Sequence, residues 1–312
     1  MNVLQSRSFT VQAAPVDAET LEVPRPFAHT ADAARALRLT TIMAVLLTVL
    51  SVPSGASAGR SATATVPTPP TVGGDVSWPQ CPVGMGIRER RSLGLPLPGA
   101  RARFVVIGLT NGPAFTPNPC LAQQVAWASA RALPTSAYAV ATWPTARQLV
   151  RHGTAGPYAG TTRLSRLRNV GHAEGTYNLA RLASVGLTVP HVWIDVEHYP
   201  VRPWSGDRRA NRAVVRGIVR AYEDAGIKTG FYSTTLQWPD IVGAVRWGLP
   251  EWHTAGPRGR AVALARCTER SFQGGPIVLA QWWTSTADHD VICPTGATDP
   301  AGVVPAGFFS AP

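Results

Sequence analysis

The chain has 312 residues, 45% of them hydrophobic, and a mean hydropathy close to zero, a soluble globular composition with enough apolar material for one sizeable core or two small ones. Its formal charge is +11, from 29 basic and 18 acidic residues, and Lys228 is the only lysine. The arginines are spread along the chain with no basic run interleaved with aromatics, which argues against a nucleic-acid partner and for attraction to an anionic surface such as a phosphate-bearing wall polymer.

Residues 1–34 are mixed and polar without an apolar period and read as a leader or an over-extended start. Residues 35–58 read as a signal peptide. Arg35 and Arg38 precede the apolar run LTTIMAVLLTVLSV, and Ala56-Ser57-Ala58 has the small-x-small form of a cleavage site, so cleavage is expected after Ala58. The run is shorter than the roughly 20 apolar residues of a membrane span, so no stable membrane insertion is expected once it is removed. GRSATATVPTPPT (59–71) is a Ser/Thr/Pro linker, and 72–312 reads as one domain.

That domain alternates. GGDVSWPQC opens it with a strand carrying Asp75. FVVIGLT (104–110) has buried-strand length, CLAQQVAWASARAL (120–133) has helical spacing, and TSAYAVAT (135–142) returns to strand. A basic, Gly-rich stretch (151–171) follows, then a helix that stops at Gly186 and the strand HVWIDVE (191–197). In RRANRAVVRGIVRAYEDAG, Val214, Ile218 and Tyr222 fall at i, i+4 and i+8, an amphipathic helix stopped by Gly226. KTGFYST (228–234), PEWHTAG (250–256) and PIVLAQWW (276–283) read as strands, with a short helix over 258–266. About eight strands alternating with helices predict an α/β fold, a (β/α) TIM-like barrel in a single domain, regular or irregular. A doubly wound open sheet is the runner-up, weakened by the lack of a G-x-G-x-x-G after the early strands.

Four cysteines, Cys81, Cys120, Cys267 and Cys293, lie beyond the cleavage site, an even number with no C-x-x-C or clustered Cys/His spacing, so disulfides are expected and no metal site. Of three possible pairings, Cys81 with Cys120 and Cys267 with Cys293 is preferred because each closes a local loop.

The chemistry centres on HVWIDVEHYP. Residues two apart in a strand share a face, so Asp195 and Glu197 project together from the C-terminal end of their strand, the end where catalytic residues collect in β/α barrels. Two carboxylates on one face repel, and burial near Trp193 and Tyr199 raises at least one pKa, as a general acid for glycoside cleavage requires. The plain alternative is pairing with Arg202, Arg208 or Arg209. Asp288 and Asp290, just after the last expected strand, meet Asp75 and the central pair if the barrel closes, although an aspartate after a strand is more often a turn-former. Ten tryptophans suit a sugar groove, and of Trp78, Trp193, Trp238, Trp252, Trp282 and Trp283 two or three are expected to line it, foremost Trp78 and Trp282, with Tyr232 and Gln281 as polar partners. His198 and His289 adjoin the acids, with packing or solvation the commoner fate of such histidines. No G-x-S-x-G elbow, H-E-x-x-H motif or P-loop is present.

In this order, GGDVSWPQ, WIDVE, GFYSTTLQW and AQWW followed by DHD resemble glycoside hydrolase family 25 over residues 72–293, most closely its secreted actinobacterial lysozyme-like branch with an SWPQC opening. The resemblance implies a secreted muramidase-like enzyme on an irregular β/α barrel. Glu197 matches the general acid, Asp195 the carboxylate that stabilises the substrate's N-acetyl group, Asp75 the first-strand acid and Asp288 the late acid of a D-x-N pattern. The chain departs from that pattern in having Asp290 for the asparagine, VIGLTNG where many members carry a lysine, and Cys81 for a glycine.

The expectation is therefore a secreted, cell-wall-associated monomer that cleaves peptidoglycan glycan with Glu197 as acid and without metal or organic cofactor. A barrel that binds wall glycan without cutting it is the alternative. An envelope protein docked to anionic polymer through its arginines is a third.

Overall fold

Residues 70–294 and 304–310 are described by the computed structural model, and within them eight strands close on themselves in chain order. The expected leader, signal peptide and all but the end of the linker lie outside the described residues. The strands are β1 (Val72–Val76), β2 (Val105–Gly108), β3 (Thr135–Val140), β4 (His191–Asp195), β5 (Lys228–Ser233), β6 (Glu251–Thr254), β7 (Ile277–Trp283) and β8 (Asp288–Ile292). Between them run α1 (Leu121–Ala130), α2 (Ala146–His152), α3 (Arg163–Ser184), α4 (Arg208–Asp224), α5 (Gln237–Val242) and α6 (Arg260–Arg266). Closure excludes the doubly wound alternative.

The barrel is irregular in two places. Strands β1 to β7 pair in parallel, but β8 runs antiparallel to both β7 and β1. Asp288 and Asp290, expected in a turn beyond the last strand, therefore belong to a strand of their own. The turn is the preceding tetrad, where Thr284 N–H donates to Ala287 O at 2.8 Å and Thr284 Oγ1 accepts from Ala287 N at 3.1 Å. Alternating acids in β8 remove the apolar period by which a strand is recognised. Between β1 and β2, no α-helix intervenes. A 3-10 turn (Trp78–Gln80) leads into a long loop, pinned to the start of α1 by the Cys81–Cys120 disulfide. The second bridge joins Cys267 after α6 to Cys293 after β8, so both expected pairings are present.

The basic stretch at 151–171 is mostly helical. Thr145 and Thr162 each start a helix with a capping box, accepting from Gln148 N and Ser165 N. The shortness of α2 and the two arginines in the first turn of α3 hid these starts from hydropathy reading. Helix α3 lies against α4 with backbones nearly touching: a Cβ on Gly217 would stand 2.0 Å from Arg168 O, and one on Gly171 1.9 Å from Val214 O.

Strand alternation sorts the core into two shells. Val105, Ile107, Val192 and Ile194 point outward and pack with Val214, Ile218 and Tyr222 of α4. Val106, Trp193, Tyr232 and Trp252 point inward. Inside, the Trp252 ring centroid lies 6.0 Å from that of Trp193, 5.8 Å from Tyr138 and 4.9 Å from Tyr232. The lower pole, at the N-terminal ends of β2, β3 and β4, is sealed by residues 304–310. Phe309 meets Phe104 edge-on at 5.1 Å, Phe308 packs 4.8 Å from His191 and 5.9 Å from Trp193, and Ser310 N–H donates to Thr135 O at 2.8 Å. With that pole filled by aromatics, the open end of the barrel among the described residues is the upper one.

Candidate active site

The upper pole holds a cavity of about 420 Å³. Strand β4 delivers two acids to it. After Trp193 and Asp195 the chain stays extended, because Val196 N–H donates to Tyr232 O (2.9 Å) and Ser233 Oγ donates to Val196 O (2.8 Å), with the Val196 side chain in the outer shell. Glu197 thereby keeps the inward face of Asp195, as the two-residue spacing predicts. Trp204 Nε1 donates to Glu197 O at 2.9 Å and fixes the chain where it leaves the barrel.

All four predicted acids, Asp75, Asp195, Glu197 and Asp288, line this one cavity. Asp288 arrives because β8 is reversed, which puts its first residue at the mouth beside Trp283 of β7. Burial dominates the electrostatics. It pushes the Glu197 carboxyl up to about 7, against the lowering effect of Arg90 and with help from Asp288. Asp288 is pushed up to about 6 by burial. Asp195 lies well above the usual carboxylate range through burial and then the charge of Glu197. Its Oδ1 is buried with no hydrogen-bond partner, an acceptor facing a cavity without a protein donor.

Deeper in the barrel, Gln281 organises a polar layer. Its Nε2 donates to Asp75 Oδ2 at 2.8 Å, while its Oε1 accepts from the Tyr232 hydroxyl at 2.9 Å and from Thr254 Oγ1 at 3.2 Å. Asp290, expected to meet Asp75 if the barrel closes but given no catalytic role, is fully buried here. Its Oδ1 accepts from Trp252 Nε1 at 2.9 Å, its Oδ2 is buried without a hydrogen-bond partner, and the carboxyl of Asp75 is close enough to act on it. Burial first and neighbouring acids second raise Asp75 well above the ordinary range, and burial does the same to Asp290. The i, i+2 spacing from Asp288 was the signal for it, legible only once β8 is known to be a strand.

Trp78, Tyr232 and Gln281 line the cavity as predicted, and Trp252 and Trp283 join them. Trp282 does not. Side chains alternate along β7, so with Gln281 facing in, Trp282 faces out, where it stacks on His289 at 5.1 Å; the rim position falls to Trp283. Trp193 and Trp238 are core residues. His198 pairs with Asp240 at 2.8 Å on the exterior, so neither histidine beside the acids enters the cavity. Sequence reasoning missed Arg90 and placed Tyr199 only as a neighbour that buries the acids. The Arg90 guanidinium lies over the Tyr199 ring (4.6 Å) and the Trp78 ring (5.5 Å) at the mouth. Tyr199 is accommodated by Gly112, which has φ +92 and where a Cβ would stand 1.7 Å from the phenolic oxygen.

The site so assembled is a carboxylate-rich, indole-rimmed pocket at the mouth of a closed α/β barrel. Residues 171–255, which include Asp195, Glu197 and Tyr232, match the family model described as Lysozyme-like protein 1. Among curated proteins, the chain is 34% identical over 64 residues to the probable GH family 25 lysozyme 4 of Dictyostelium discoideum, a match covering 20% of this chain and 29% of that protein. The probable GH family 25 lysozyme 5 of the same organism is 35% identical over 65 residues, 20% of this chain and 30% of its own. The chain thus spans under a third of the length of these relatives. Among solved structures, a muramidase from Trichobolus zukalii is similar over 75% of this chain and 98% of its own (17% identity, TM-score 0.47), and the bacterial lysozyme from Streptomyces coelicolor over 74% and 94% (16% identity, TM-score 0.47). The middle of the chain is therefore lysozyme-like, as the motif resemblance implies.

Proposed function

We propose that the protein is a muramidase-like glycoside hydrolase, exported and acting as a monomer on cell-wall peptidoglycan. The observation that carries this reading is the convergence of Asp75, Asp195, Glu197 and Asp288 from β1, β4 and β8 on one indole-rimmed cavity, with Glu197 at the end of β4. A carboxyl with its pKa raised to about 7 is substantially protonated in neutral surroundings and can donate to a glycosidic oxygen as the bond breaks. Asp195, one position inward on the same face, has a free acceptor for the acetamido N–H of the sugar and stabilises positive charge as it develops. Trp78 and Trp283 offer flat faces for pyranose rings, with Trp252 as floor. Asp75, held by Gln281, and Asp288 maintain geometry and charge balance. The two disulfides suit an oxidising destination.

The test counts new reducing ends on purified peptidoglycan for the wild type and Glu197→Gln. A loss of about a hundredfold or more is expected, the range a general acid contributes. Silence from both, with glycan still bound, would make this a binding barrel.

A further inference from the structure

Arg90 stands at the cavity mouth, near enough for its charge to act on Glu197 and Tyr199 but without an ion pair to either. Two aromatic rings hold the guanidinium, Tyr199 at 4.6 Å and Trp78 at 5.5 Å, and it makes no side-chain hydrogen bond or ion pair with any described residue. Its backbone is fixed: Arg90 N–H donates to Ile87 O at 3.0 Å and Arg90 O accepts from Asn111 Nδ2 at 3.2 Å, in the loop tied to α1 by Cys81–Cys120. Among the described residues it is also the only basic side chain lining the cavity, whose other ionisable groups are four acids and three tyrosines. A guanidinium presents five N–H donors in a planar fork, and a pre-positioned fork with no protein acceptor matches a planar oxyanion supplied by the ligand.

Resting on the glycan-cleaving reading above, we propose that Arg90 is a specificity residue that binds a carboxylate on the sugar beside the scissile bond: the free lactyl carboxylate of a muramyl unit. In peptide-bearing glycan that carboxyl is an amide and carries no charge. The site then prefers glycan whose stem peptides have been removed, and a reaction that hydrolyses the lactyl amide must precede this one.

The test uses three glycans of equal length: peptide-free with free lactyl carboxylates, the same with those carboxyls converted to primary amides, and peptide-bearing. Equilibrium binding is measured with the Glu197→Gln protein, alone and combined with Arg90→Gln or Arg90→Lys, and turnover separately with the wild type. The expected result is at least about tenfold tighter binding of the free acid than of the amide, the usual worth of a charge-assisted pair, abolished by Arg90→Gln and only partly kept by Arg90→Lys. Equal affinity for acid and amide overturns the proposal. So does a uniform weakening on all three glycans in the Arg90 variants, which would mark a structural role. Preference for the peptide-bearing glycan that depends on Arg90 would move the contact to a stem-peptide carboxylate and overturn the lactyl assignment. If the wild type releases no reducing ends while the acid-over-amide ratio stands, hydrolysis is refuted and carboxylate recognition is retained.

Discussion

At the scale of single residues, burial controls the protonation of the site. Glu197 must carry its proton to act as an acid, so release of reducing ends is expected to decline as pH rises through about 7, and a pH–rate profile checks this. The buried pair makes a separate prediction. Asp75 and Asp290 hold protons in the folded chain at pH values where an unfolded aspartate, with a pKa near 3.9, has lost them. Their stabilising contribution is therefore complete below about pH 3.9 and is lost as pH rises toward their folded values. Asp290→Asn keeps an acceptor for Trp252 Nε1 and supplies an amide donor to Asp75 at any pH. It should raise Tm at pH 8 and leave it nearly unchanged at pH 3.5, as thermal melts at the two pH values would read. Strand parity made Asp195, Glu197 and Asp75 legible in the sequence. The same parity, had it been applied to β7, rejects Trp282 in favour of Trp283, since Gln281 and its neighbour cannot share a face. Arg90 left no local signal, because its role depends on a loop folding back over Trp78 and Tyr199.

The elements that carry these residues differ in what anchors them. Removing Cys81–Cys120, which closes a separation of 39 residues, or Cys267–Cys293, which closes 26, is expected to cost about 3–4 kcal/mol each. Their functional effects should diverge. The first bridge holds the loop bearing Arg90, so its serine double variant should raise KM more than kcat falls; the second braces β8, so its loss should disturb Asp288 and lower kcat. Steady-state kinetics on both variants separates the cases. Helix packing yields a simpler test: Gly217→Ala forces α4 off α3, since the new methyl would stand 2.0 Å from Arg168 O, and should lower stability by about 1–3 kcal/mol in denaturant titration. Helices with an apolar stripe, such as α4, were plain in the sequence. Helices α2 and the start of α3 were not, because α2 spans only seven residues and arginines interrupt the apolar period of α3, which leaves the threonine caps as the signal.

On the scale of the whole molecule, a chain of formal charge +11 places four of its 18 acidic residues in one pocket. If the substrate is an anionic wall, as proposed, exposed arginines would attract it through interactions screened beyond about 10 Å at 0.1 M salt. KM on peptidoglycan should accordingly rise between about 0.05 and 0.5 M NaCl, with kcat little changed, which a salt series on the wild type would establish. The closed barrel followed from counting alternations, whereas the reversed strand and the sealed pole did not, because both depend on contacts between distant parts of the chain. That seal has a temporal consequence. Ser310 reaches back 175 positions to Thr135, so the lower pole stays open until residues 304–310 have been made and brought home. Contacts of such long range form slowly, so docking of the aromatic plug is expected to be among the last steps by which the barrel locks.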